Sequence, residues 1–236
     1  MSAETPPLEE LVRRLIHAIR ADPPLFDQPA TPDGAQRIAA VAGLLRATRL
    51  LEDVLVCVTN GADEAPLLIL RTLVEININV RYLLTHGQEG LEQLVANQER
   101  RKLAVANALF GPDDPRSRDL KANIDRVKLP PERSIALLAT DSPLGEESYN
   151  GLYRWLSGSS AHGGTQSWEP YWFEIGKQLR GVFRPQLDPS RNEALTTAGL
   201  IVGGIASVVF STLGLPLPTG WEDLAAAFQA LENAEK

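Results

Sequence analysis

Two groups of polar residues stand inside apolar, helix-patterned stretches of this chain. Arg71 and Glu75 lie four residues apart in the run Ala65–Leu84. Tyr153, Arg154 and Ser157 lead directly into Gly158-Ser159-Ser160-Ala161-His162-Gly163-Gly164. Burying a guanidinium, a carboxylate or an imidazole is costly unless its partners are in place. Such groups therefore either lock helices together or line a site. The residue types allow acid–base chemistry, with Glu75 or His162 as the candidate group. They equally allow recognition without catalysis, in a polar cavity lined by Arg71, Glu75, Tyr153, Ser157 and His162.

Each cluster also has a plainer structural reading. A spacing of four puts Arg71 and Glu75 on one helix face, where an internal salt bridge would fix helix register. At about 100° per residue, Asn79 and Tyr82 extend that stripe. Tyr149, Tyr153, Ser157 and Ser160 form a second stripe of hydroxyls, suited to inter-helix hydrogen bonds. His162 falls before Gly163-Gly164, at a helix end where a protonated imidazole complements the dipole. Trp168 opens the aromatic segment Trp168-Glu169-Pro170-Tyr171-Trp172-Phe173, which suits a pocket roof, a dimer contact or core packing.

Several chemistries lack their residues. Gly158-Ser159-Ser160-Ala161-His162-Gly163 has no strand-to-helix elbow, and Ser159 and His162 are too local for a triad. His17, His86 and His162 are scattered without metal-ligand spacing, so no metal site is expected. Gly199, Gly203 and Gly204 lie within an apolar helix and read as packing rather than as a dinucleotide loop. No cofactor is implied. A net charge of −7 argues against a dedicated nucleic-acid binder. The basic residues of the stretch 100–133 alternate with acidic ones, as on a solvated face with local ion pairs.

The elements that must position these residues are helical. Period-2 alternation does not persist anywhere, whereas helical periodicity recurs throughout. Helices are expected over Pro7–Ala21, from Thr31-Pro32-Asp33 to Asn60-Gly61, from Asp63 to His86-Gly87 and over Glu89–Phe110. Others are expected over Pro115–Val127, Pro131–Ala139, Glu146–Ala161, Ser190–Leu213 and Trp221–Glu232. Thr31 reads as an N-cap followed by proline. Gly164–Pro189 reads as a looser aromatic segment. The uncharged stretch Ala194–Trp221 has the length of a membrane span, but it lacks flanking anchors and suits the centre of a bundle.

The expected fold is all-α, a single-domain helical bundle of about seven to nine helices. Residues 1–30 would form an N-terminal helix and linker, and residues 31–236 the bundle. One cysteine, Cys57, excludes an intramolecular disulfide and reads as a small core residue. With no signal-peptide pattern at the N-terminus, a cytoplasmic location without membrane attachment is expected. A homo-oligomer is the expected assembly, with a small molecule or protein segment as partner and RNA as the less favoured ligand.

Leu70-Arg71-Thr72-Leu73-Val74-Glu75, Arg81-Tyr82-Leu83-Leu84 and Tyr153–Gly163 together resemble a bacterial all-helical family of unknown function. That family is distantly similar to the HEPN helical superfamily, which includes RNA-cleaving toxins and defence modules working as dimers. The resemblance implies an arginine and a histidine cooperating on one helix, here Arg154 and His162. Seven residues separate them, wider than the HEPN signature. The offset is about 12 Å along a continuous helix. Both groups would meet one phosphate only if the helix breaks near Gly158.

Overall fold

The computed structural model describes residues 7–21, 31–62, 65–156, 172–175, 178–181 and 191–234. In α1 (Leu8–Ala21), Leu11, Val12, Leu15, Ile16 and Ile19 recur at helical spacing, and all five are buried. Each such side chain contributes about 1.5–3 kcal/mol when fully removed from water. Helix α2 (Pro32–Thr59) starts as its sequence dictates. Thr31 accepts a hydrogen bond from the Gly34 amide at 3.1 Å, and proline occupies the first turn. It ends at Asn60, before Gly61 with φ 77°.

The next helical stretch, α3 (Ala65–Phe110), is interrupted at Gly87, whose φ of 60° and ψ of −129° are non-helical. The break produces a sharp corner rather than a gentle bend. A Cβ on Gly90 would lie 3.1 Å from Leu83 Cα and 3.2 Å from the Tyr82 carbonyl oxygen. Residues seven apart in a straight helix are about 10 Å distant. Two helices, 65–86 and 88–110, therefore meet where the sequence placed a His86-Gly87 stop.

After the corner come α4 (Pro115–Val127), capped by Asp114, and α5 (Ile135–Thr140), capped by Ser134. The next segment is helical but irregular. Gly145–Ser148 (α6) passes into a π-helical turn over Tyr149–Tyr153 and then α7 (Arg154–Leu156). The long helices α8 (Arg191–Thr212) and α9 (Trp221–Ala234) complete the described bundle.

Helices α2, α3 and α8 pack against one another at the centre. Gly43 permits the close approach of α2 to α3, since a Cβ there would meet Val80 Cγ2 at 2.6 Å. Helices α1 and α9 pack on α8, and their apolar side chains join the same core as α2 and α3. Residues Asn192–Thr212 are long and apolar enough to cross a membrane by length and composition; half of that stretch is buried within the protein.

The architecture is all-α, with one local departure. Trp172–Ile175 (β1) and Gln178–Gly181 (β2) pair antiparallel, Trp172 opposite Gly181 and Ile175 opposite Gln178. Runs of four residues are at the lower limit for an alternation signal, and this strand pair falls in what the sequence presents as a loose segment. Cys57 also departs from its core reading: it is only partly buried.

Candidate functional site

Arg71 and Glu75 stand one turn apart on α3, and the π-helical turn brings Tyr153 onto them. The Tyr153 hydroxyl donates to Glu75 Oε1 at 2.9 Å. Arg71 Nη2 donates to the same hydroxyl at 3.1 Å and lies 3.7 Å from Glu75 Oε1. The three side chains thus close a triangle between segments 78 residues apart. The Arg71 guanidinium also stands 5.3 Å from the Tyr153 ring centroid, and Tyr149 stacks on that ring. A π-helical turn is uncommon and often marks a functional position. Here it places the hydroxyl that a register-locking ion pair does not require.

The triangle lies at the protein's edge rather than deep in the core. The Arg71 and Glu75 side chains are 27% and 30% exposed, whereas Tyr153 is buried. Burial raises the Tyr153 pKa; the Arg71 hydrogen bond opposes this and Glu75 reinforces it. The phenol therefore remains a protonated donor at neutral pH. Arg71 Nε is buried and has no acceptor among the described residues. The desolvation of that one N–H is not offset by a hydrogen bond among the described residues, although Glu75 and Tyr153 partner the guanidinium elsewhere.

The irregular segment is tied to α3 at a second place. Asn77 donates to Ser148 Oγ at 3.4 Å and accepts from Arg81 Nε at 2.9 Å. Burial lowers the Arg81 pKa. Asn77, rather than Asn79, is thus the asparagine that continues the contact. The segment crosses α3 obliquely instead of following the stripe through Arg71 and Glu75.

Tyr82 belongs to a different cluster. Its hydroxyl accepts from Arg133 Nη1 at 3.1 Å, and its ring packs against His86. Arg133 pairs with Asp141, which raises the guanidinium pKa. His86 Nε2 lies 2.8 Å from the Asp141 carbonyl oxygen. Nearby, Gln93, Asn97 and Arg100 bond the backbone of Leu129, Pro130, Pro131 and Arg133. These groups hold a loop in place. Arg100 is therefore a backbone clamp, although the sequence groups it with the solvated basic residues. Arg101, Lys102 and Arg116 do pair with nearby carboxylates. The Arg116 hydrogen bonds hold the Asp114 carboxyl down at about 2.

Of the residues singled out in the sequence, Arg71, Glu75 and Tyr153 are brought together. Arg154 is exposed immediately after Tyr153. Ser157, His162 and Trp168 lie outside the described residues. Clefts of about 490 and 180 Å³ are lined by residues of α1, α8, α9 and the α8–α9 connection, and not by the triangle. Among the described residues, no three of His, Cys, Asp and Glu converge as metal ligands.

Fold and cluster together define an all-helical module with a tyrosine-bridged ion pair at its edge. Residues 37–178 match the model of DUF5677, a family of unknown function. The match spans more than half of the 236 residues, and the chain belongs to that family. No curated protein and no solved structure matches it.

Proposed function

We propose that this protein is a helical binding module whose recognition site is the Arg71–Glu75–Tyr153 triangle. Its ligand is a small molecule or partner segment presenting an oxygen acceptor to Arg71. The observation that carries this reading is a charged pair, Arg71 and Glu75, held by the Tyr153 hydroxyl at the solvent boundary. Partial exposure of Arg71 and Glu75 leaves the cluster open to solvent on one side. The Tyr153 hydroxyl fixes the orientation of both charged groups, so they are preorganised before a ligand arrives.

Native mass spectrometry of the full chain, incubated with the low-molecular-mass fraction of a cell extract, tests the proposal. A retained adduct on wild type that is lost on Arg71→Gln is expected. An adduct equally retained by both proteins, or absent from wild type, contradicts it.

A second reading, a metal-independent HEPN-like ribonuclease acting as a dimer, draws on the exposure of Arg154 beside the triangle. In that reading His162 is the base and Arg154 or Arg71 engages the phosphate. Cleavage of RNA by wild type, abolished in His162→Ala with the fold intact, is its required result.

A further inference from the structure

Helix α1 carries a polar stripe that the core does not use. Glu10, Arg13, Arg14 and His17 recur at helical spacing and form one wall of the cleft of about 490 Å³. Pro218, Gly220 and Leu224 form the facing wall, and Ala18 adds apolar surface. The volume falls within the range of small-molecule sites.

Charge distinguishes this cleft. Arg13, Arg14 and His17 are exposed, and neither arginine makes an ion pair or side-chain hydrogen bond among the described residues. Arg20, on the same helix, pairs with Glu52, whereas Arg13 and Arg14, like Arg46 and Arg154, have no side-chain partner among the described residues. Two guanidiniums without a side-chain partner among the described residues, and an imidazole, thus line one cavity of a chain whose net charge is −7. Guanidinium forks match the geometry of phosphate oxygens, and the imidazole supplies a further donor.

We propose that the cleft between α1 and the start of α9 binds a small phosphate monoester. Arg13, Arg14 and His17 hold the phosphate, and Ala18, Pro218 and Leu224 contact its organic group. Both walls lie outside the segment matched to the family, residues 37–178. The site therefore belongs to the flanking helices and is independent of the Arg71 triangle.

Isothermal titration of the full chain with phenyl phosphate tests this assignment. Saturable binding is expected, competed by inorganic phosphate and weakened at least about tenfold in the double variant Arg13→Gln/Arg14→Gln. Both arginines are exposed, so that variant should keep the wild-type melting temperature. Arg71→Gln should bind phenyl phosphate as wild type does, which separates this site from the triangle. No saturable binding up to roughly 10 mM, or equal affinity in the double variant, would overturn the proposal.

Discussion

Tyr153 donates its hydroxyl to Glu75 across 2.9 Å, and burial holds the phenol pKa above its ordinary value of 10.0. The sign of the resulting pH dependence follows. The folded protein favours the neutral phenol, so this contribution to stability is complete below pH 10.0. It is lost as pH rises through the higher pKa of the folded state. Urea unfolding between neutral and strongly alkaline pH should therefore show a steeper alkaline loss for wild type than for Tyr153→Phe. At neutral pH the substitution should cost about 1 kcal/mol or less, because both charged partners reach solvent.

Gly90 is a second sensitive point. A methyl group there would press on the backbone of Leu83 and Tyr82, which cannot move aside as a flexible side chain can. Gly90→Ala should destabilise the protein by about 1–3 kcal/mol in denaturant unfolding. Wild-type stability in that variant would contradict a tight corner after Gly87.

Two glycines on α8 should respond in opposite directions. A Cβ at Gly199 would lie 2.4 Å from Phe228 Cε1, whereas one at Gly203 meets nothing within 4 Å. Gly199→Ala should lower the unfolding midpoint by displacing the buried Phe228 ring. Gly203→Ala should raise stability by up to about 1 kcal/mol through helix propensity. A thermal-unfolding comparison reads both effects.

Asn97 should prove structural. Its side chain accepts from the Arg133 amide and donates to the Arg133 carbonyl, each at 2.9 Å, and it is buried. Asn97→Ala would leave both backbone groups unpaired, at a cost of about 2–4 kcal/mol. Hydrogen exchange should show the Arg133 amide losing protection before the core of α2 does.

The sequence made the helices legible because local chemistry decides their ends. Thr31 and Pro32 start α2, and Gly87 ends the first half of α3. The alliance of Arg71, Glu75 and Tyr153 was legible as polar groups within apolar stretches. Their joining in one triangle was not, because it depends on how a segment 78 residues away crosses α3. That crossing also selects Asn77 over Asn79 and includes a π-helical turn, which the regular helical period of α6 and α7 gives no cause to expect. Asn97 and Arg133 pair through backbone groups, to which side-chain patterns are blind. The polar stripe of α1 was not singled out in the sequence, because its role depends on the facing Pro218–Gly220 turn.

The most direct measurement is guanidinium-induced unfolding of Arg71→Gln and Glu75→Gln beside wild type at neutral pH. A recognition site retains polar groups for its ligand rather than for the fold. Each variant should therefore lie within about 1 kcal/mol of wild type, or be more stable where the unpaired Arg71 Nε is removed. A loss of about 2 kcal/mol or more in both would make the triangle a structural lock and contradict its assignment as a binding site.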